Sequence, residues 1–365
     1  MKLKSISLAN FRNYENELIL PADGMNVIVG QNAQGKTNII EAIYLCCVGR
    51  SHRTSRDEEL ISWDKPYCRV AVSSYQNDGT HDVSIYISKS EKKKKQIKIS
   101  NKKADRIGEL FGHVCGVLFS PEDLQIIKGG PSERRRFLDM MLSQLNPNYF
   151  YSLQKYSKTL AQRNALLREI ATKPYLSDML DPWDDILAQC GSYIAEERMK
   201  AIQKLSEIAE EEHRYLTGEK EILSLSYISG TKDAENIKEK FSASLKKGRE
   251  EDIKRQMTGF GIHRDDIGIK INEKMTRIYG SQGQQRSAVL SLKLSQIDYF
   301  REEKGEDPVL LLDDVMSELD PSRRIRLSER IDRIQTFVTC TDLSDLSGAG
   351  IGNIFEIENG KIKNN

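Results

Sequence analysis

The sequence lacks a dominant charge, long apolar runs and cysteine patterning. Lys and Arg number 55 and Asp and Glu 54, a formal net charge of +1. No global field therefore draws the chain toward nucleic acid or an anionic membrane, and an anionic partner must be met by local patches. No stretch of about 18 apolar residues occurs, which argues against a membrane-spanning helix. The start, Met1-Lys2-Leu3-Lys4-Ser5, leads into polar alternation and not into the apolar segment of a signal peptide. A cytoplasmic protein without a membrane partner is expected. Six cysteines, at 46, 47, 68, 115, 190 and 340, show neither C-x-x-C spacing nor clustering with histidine. Reduced, mostly buried thiols are expected, without a structural metal.

What is present is an ordinary globular composition. With 365 residues and 38% hydrophobic content, the chain can bury one large core or two modest ones, so two lobes are expected. Leu3 to Leu8 alternates, and Met25 to Val29 is a continuous apolar run of the kind that suits a strand buried on both faces. Thr37 to Val48 reads as a helix. Val83 to Ile87 and Gln96 to Ser100 read as a hairpin joined by the turn Ser88 to Lys95. Beyond residue 120 the pattern turns helical: Ser132 is positioned to cap a helix through Arg134 to Leu145, and Tyr151 to Ala171 and Pro182 to Leu216 follow. Their apolar stripes, Leu153, Tyr156, Leu160, Leu167 and Ile170 against Ile186, Leu187, Cys190, Ile194, Ile202 and Leu205, predict an antiparallel helical hairpin. At 1.5 Å per residue its longer arm would span roughly 50 Å. Sheet character returns at Ile267 to Ile271, a helix begins near Gly283, and Val309 to Leu312, Thr336 to Thr341 and Ile354 to Ile357 read as strands. The order sheet, helices, sheet predicts an α/β lobe I from 1–115 and 300–365, with a mainly helical lobe II from 116–299 inserted in it.

Between the strand ending at Val29 and the following helix stands Gly30-Gln31-Asn32-Ala33-Gln34-Gly35-Lys36-Thr37. This is G-x-x-x-x-G-K-[ST], a match expected by chance about once in a hundred chains of this length. Glycines let backbone amides wrap phosphates at a helix N-terminus, Lys36 offers a charge to the β and γ phosphates, and Thr37 offers a hydroxyl to Mg²⁺. Asn38 completes the expected nucleotide-binding segment. A second acidic ligand at a strand end is supplied by Val309-Leu310-Leu311-Leu312-Asp313-Asp314, where Asp313 would hold Mg²⁺ and Asp314 would orient the attacking water. The chemistry so far is ATP binding with Mg²⁺ and hydrolysis, which a kinase, GTPase or transporter would share. A third element narrows it. Ser281-Gln282-Gly283-Gln284 opens an amphipathic helix shortly before the acidic strand and reads either as a plain helix cap or as a second phosphate-facing loop serving a nucleotide across a dimer.

Together with Asn10-Phe11-Arg12-Asn13-Tyr14 and Ser317-Glu318-Leu319-Asp320, these residues resemble the SMC-like branch of the ABC ATPases. Further resemblance lies in Phe119 to Leu124, in Gly129 to Asp139 and in His263-Arg264-Asp265-Asp266, so the motifs span almost the whole chain. The resemblance implies an ATPase head in lobe I, with lobe II carrying the signature loop and a short helical arm. It implies ATP-driven homodimerisation, Ser281 and Gly283 of one subunit meeting the γ phosphate held by Lys36 of the other, with Asp320 at the same seam and Arg12 near the nucleotide. It also implies a clamp on duplex DNA at gaps with single strand, in DNA replication, repair and the SOS response to damage. The implied partners are RecR with RecO, and indirectly RecA, whose loading they assist. The chain departs from the common pattern at the signature, at Asp314 where Glu is usual, and at Thr341 where a histidine often stands; slow, switch-like hydrolysis stimulated by DNA is expected. Gln125 is a candidate for the glutamine of the inter-lobe loop, and Ile262 replaces a common proline. About 50 residues follow the acidic strand, too few for an appended nuclease domain.

Two basic clusters are candidates for DNA. Between Lys89 and Arg106 nine basic residues face two acidic ones, and Arg134-Arg135-Arg136 forms the second. A solvated hairpin turn and local acidic partners are the respective alternatives. Few aromatics accompany either cluster, which favours backbone contact with a duplex over base stacking.

Overall fold

The computed structural model describes residues 1–90, 94–231, 236–346 and 350–363. The chain divides into two compact units: residues 1–123, 215–219 and 290–365 form the first, and 124–214 and 220–289 the second.

The first unit holds two six-stranded sheets. One is antiparallel, in the order β2 (Tyr14–Ile19), β1 (Lys2–Phe11), β4 (Tyr67–Gln76), β5 (Gly79–Ser88), β6 (Lys95–Ile99), β7 (Lys102–Lys103). The other runs β15 (Lys361–Lys363), β14 (Ile351–Glu358), β3 (Met25–Val29), β13 (Thr336–Cys340), β12 (Val309–Leu312), β8 (Gly116–Phe119), parallel except for the β14–β15 hairpin. The apolar runs of β3, β12 and β13 occupy its centre, where both faces are covered. Helix α1 (Lys36–Val48) touches strands of both sheets. Its buried Ile39, Ile40, Ala42, Ile43, Leu45, Cys46, Cys47 and Val48 are apolar nearly all round, as a helix enclosed on every side must be. Gly116 is needed for that enclosure, because a Cβ there would meet Cys47 Sγ at 2.7 Å. Helix α10 (Pro321–Ile331) follows β12.

The expected strands at Leu3, Met25, Val83, Gln96, Val309, Thr336 and Ile354 are all found. In this unit strands β2, β4, β7, β8 and β15 were not anticipated. The period-2 burial of Cys68, Val70, Val72 and Ser74 was the signal for β4, whereas β8 is an edge strand of only four residues. Because β8 pairs in parallel with β12, the segment just after 115 lies in the first unit's sheet.

The second unit is mainly helical: α2 (Gln125–Lys128), α3 (Pro131–Leu145), α4 (Pro147–Ile170), most of α5 (Asp181–Thr217), α6 (Ile237–Lys247), α7 (Arg249–Arg255), α8 (Thr276–Tyr279) and the start of α9 (Gln282–Lys304), with a small sheet β11 (Lys274–Met275), β10 (Asp266–Ile271), β9 (Leu223–Ile228). Ser132 does not cap α3. Pro131 takes the first helical position after Gly130, and no side chain caps the helix, since proline's missing N–H and fixed φ already suit that site. Helices α4 and α5 pack antiparallel, Asn146 donating to Tyr193 Oη at 2.9 Å and Arg163 to Asp184 at 2.6 Å. With 37 residues, α5 is about 55 Å long.

Two polar networks lie inside this unit. Arg163, fully buried, donates to Asp184, Asp252 (2.7 Å) and the Thr258 hydroxyl (2.8 Å). Arg198 donates to both Asp139 oxygens and to the Ile262 carbonyl. Buried charges persist when paired and hydrogen-bonded in this way.

Candidate functional site

Two constellations take the chemistry-bearing residues, one in each unit. In the first, β3 delivers the chain to Gly30 and α1 begins at Lys36. The turn between them requires left-handed backbone at Ala33 (φ 65) and Gly35 (φ 115). Gly30 cannot be larger, since a Cβ would meet the Ile357 carbonyl at 2.6 Å, and at Gly35 one would strike the Asn13 amide at 2.5 Å. Gln31, Asn32 and Ala33 are exposed. Lys36 Nζ donates to the carbonyls of Gly30 (2.6 Å) and Gln31 (3.1 Å), so its charge is held over the loop itself.

Asn13 Nδ2 donates to the Gln34 carbonyl (2.8 Å), Tyr14 Oη to the Gly35 carbonyl (3.0 Å), and Asn38 Nδ2 to Asn13 Oδ1 (2.8 Å). From the β14–β15 turn, the Asn359 amide donates to Gln34 Oε1 (2.5 Å). The loop is thus clamped by the β1–β2 turn on one side and by Asn359 on the other. Asn13 and Tyr14 belong to the motif quoted from the sequence, but Asn359 had no sequence signal beyond the turn pair Asn359-Gly360.

Arg12, itself at φ 53, forms a two-pronged pair with Glu41 of α1, at 2.7 and 2.9 Å. Glu41 is fully buried and also accepts from Ser51 (2.5 Å) and Arg53 (3.3 Å). Burial opposes its ionisation, but Arg12 and Ser51, with the Arg53 charge, hold its carboxyl below the ordinary range.

Beside the loop, at the end of β12, Asp313 Oδ1 accepts from Thr37 Oγ1 (2.9 Å) and Thr339 Oγ1 (3.0 Å). Burial raises the Asp313 carboxyl against those two hydrogen bonds. Asp314 follows at φ 53, its amide donating to Thr339 Oγ1 at 2.8 Å. Thr339 therefore ties both acids to β13, a role sequence reading missed. Thr341 lies exposed just beyond that strand. Asp320 caps α10, accepting from the Arg323 amide (3.2 Å) and the Ser322 hydroxyl (2.7 Å). Ser322, with Arg323, holds its carboxyl down at about 2. Within Phe119 to Leu124, Asp123 accepts from the Ser120 amide and pairs with Lys293 at 2.8 Å.

In the second unit, Ser281 Oγ accepts from the Gln284 amide (3.2 Å), and Gln284 Oε1 accepts from the Ser281 amide (2.9 Å). This reciprocal pair is a capping box. Gln284 Nε2 donates further to Glu221 (2.8 Å). Ser281 and Gln282 are exposed and Gly283 and Gln284 half-buried. Gln125 is exposed at the start of α2.

Of the two readings of the arginine cluster, acidic partners hold for Arg134. Arg134 is buried, pairing with Asp266 at 2.7 and 3.0 Å and donating to the Gly129 carbonyl, and Arg135 donates to the Asp265 carbonyl at 2.5 Å. Both are occupied within their own unit, which leaves Arg136 as the exposed member. His263 to Asp266 is the other half of that arrangement. His263 Nε2 donates to the Thr258 carbonyl (3.1 Å), Nδ1 lies 2.9 Å from Tyr156 Oη, and burial lowers the ring's pKa. In the lysine cluster, Lys94 pairs with Glu58 and Lys95 with Asp57; residues 91–93 lie outside the described residues.

No helix among the described residues is long and apolar enough to cross a membrane. The sequence model of the RecF/RecN/SMC N-terminal domain matches residues 2–349. A DNA replication and repair protein RecF of Ruminiclostridium cellulolyticum is 47% identical over 369 residues, covering 99% of this chain and 99% of that protein. The solved structure of the recombination mediator protein RecF-ATPrS in the RecFOR pathway superposes with a TM-score of 0.92 at 38% identity, covering 99% of this chain and 97% of that one. The Smc head domain of Pyrococcus furiosus, 16% identical with a TM-score of 0.59 over 99% of this chain and 95% of its own, shares the fold.

Proposed function

The chain belongs to the RecF family of the RecF/RecN/SMC ATPases, and from that premise we propose that it is an ATP-dependent DNA-binding protein of replication and recombinational repair. One observation carries the reading: Thr37, at the start of α1, and Asp313, at the end of β12, converge to 2.9 Å beside a loop that Asn13, Tyr14 and Asn359 hold in place. A similar protein whose structure is described as RecF-ATP supports ATP as the nucleotide.

In this reading Gly30 to Thr37 wrap the phosphates, and Lys36 exchanges its two loop carbonyls for phosphate oxygens. The Thr37 hydroxyl and Asp313 carboxylate are hard oxygen donors close enough to share one cation, a set that fits Mg²⁺. When bound, the ion would supply charge neutralisation to the nucleotide's phosphates. Thr339 holds Asp313 and Asp314 in register, and Asp314 orients water. Its side chain is one methylene shorter than the usual glutamate and hangs from a left-handed backbone, which supports slow, switch-like turnover. Arg12 acts through Glu41, bracing α1 at the nucleotide.

Ser281 and Gly283 of a second copy complete the site across a homodimer, with Asp320 at the seam. The dimer clamps duplex DNA near single-stranded gaps and works with RecR and RecO toward RecA loading, as the RecFOR pathway named for its relative supports. The test is light scattering with and without ATP. Wild type should double its mass with ATP, and Lys36→Ala should bind no nucleotide and stay monomeric. An unchanged mass for wild type would sink the clamp.

A further inference from the structure

The outer face of the antiparallel sheet in the first unit carries a concavity of about 440 Å³, within the range of sites that hold small ligands. Tyr67 of β4 and Tyr86 of β5 form one wall, stacked with centroids 5.3 Å apart and planes at 27°. The strand register sets what surrounds them: Arg69 opposes Tyr86, Gln96 opposes Tyr86 on its other side, and Ser84 opposes Lys98. Lys103 of β7 stands opposite Lys98. The lining thus combines an aromatic wall, a small floor at Ser84, an amide at Gln96 and cations at Arg69 and Lys98. Against these cations the face carries Asp82. Sequence reading found few aromatics near the lysine cluster, because Tyr67 is distant in sequence from it; the sheet brings them together.

We propose that this concavity is a subsite for an unpaired strand of DNA, one base stacking on the Tyr67–Tyr86 pair while Arg69 and Lys98 take its flanking phosphates. A paired base offers no free face, and a duplex would meet this surface only through its backbone. A ring wall flanked by cations is what an unpaired nucleotide requires. The site rests on the DNA-binding reading above and deepens it: the clamp holds duplex, and this face holds the single strand beside it, so one protein distinguishes a gap from continuous duplex.

The experiment is anisotropy titration of the full chain with a labelled oligothymidylate and with a blunt duplex of equal length, for wild type, Tyr86→Leu and Lys98→Gln. Tyr86→Leu should weaken oligothymidylate binding about tenfold, since one stacked base is lost, and leave duplex binding unchanged. Lys98→Gln should weaken the single strand and flatten its salt dependence. Circular dichroism melting of each variant shows whether the sheet is intact, and Tyr86→Phe, which keeps the ring, should bind as wild type. Wild type that binds duplex but not oligothymidylate overturns this site alone. Wild type that binds neither overturns the DNA-binding reading itself. Equal losses on both substrates by a folded Tyr86→Leu protein would also overturn the stacking role.

Discussion

Thr37 Oγ1 and Asp313 Oδ1 meet at 2.9 Å although 276 residues separate them in the chain. The pairing is possible because β3 and β12 flank β13 in one parallel sheet, so the two strand ends open on the same edge, where α/β folds place their ligands. Thr37→Val should remove the hydroxyl at nearly constant volume. Nucleotide should still bind through Lys36 and the loop amides, and turnover should fall at least tenfold, read as phosphate release under single-turnover conditions. A Thr37→Ser protein should recover most of it.

How much of this was legible beforehand depends on the distance over which partners had to be found. The buried runs at Met25 and Val309, the glycine loop and the Ser281 cap are written in adjacent residues, and each is found where local pattern placed it. Arg134 stays open between DNA and an acidic partner in the sequence because that partner, Asp266, lies 132 residues away. Thr339 gave no signal because its role exists only once β13 lies beside β12. Tyr67 and Tyr86 likewise acquire meaning through sheet register.

Ser281 offers a way to separate the cap from the proposed contact with a partner's phosphate. Aspartate caps helices about as well as serine, so Ser281→Asp should leave the melting temperature within about a degree or two of wild type, a change of only a few tenths of a kcal/mol in a protein this size. The added carboxylate would face a γ phosphate, so ATP-driven dimerisation should be lost. Retention of the dimer in light scattering would remove Ser281 from the interface. Gln284→Ala, by contrast, should cost about 1 kcal/mol through the broken box.

His52 packs edge-on against Tyr44 at 5.5 Å, with both ring nitrogens buried and unpaired. Burial pushes its pKa down to about 4 from the usual 6.5, only partly offset by Glu41 and Glu122. The unfolded chain therefore takes up a proton below about 6.5 that the folded state refuses until about 4, and stability falls as pH drops through that window. The loss is at most about 3.4 kcal/mol, 1.36 kcal/mol for each pH unit between 6.5 and about 4. His52→Phe keeps the ring contact and removes the titration. Its melting temperature relative to wild type should rise as pH is lowered from 7 to 4 in the same buffers, and a constant difference would contradict the assignment.

Arg163 lies at 0% exposure between Asp184 and Asp252, and Asp184 is also at 0%. Removing the arginine leaves two carboxylates away from water without their shared cation, Asp184 keeping Arg249 at 2.7 Å and Asp252 only the Gly259 amide at 2.8 Å. Arg163→Met should cost about 3–5 kcal/mol, seen as a lower urea midpoint and faster amide exchange in α4, α5 and α7. Lysine in its place should recover little, because one ammonium cannot reproduce the fork that spans Asp184, Asp252 and Thr258.

The two basic clusters predict different salt behaviour. Arg134 is tied to Asp266 and Arg135 to the Asp265 carbonyl, so Arg134→Ala should lower stability and leave the salt slope of duplex binding unchanged. Lys102 and Lys103 are exposed at the sheet edge. If they reach phosphates, Lys102→Gln with Lys103→Gln should reduce the slope of log affinity against log salt by about 1.8, at about 0.9 per neutralised phosphate, with little change in melting temperature. A slope unmoved by the lysine pair and flattened by Arg136→Gln would shift the duplex path to the second unit.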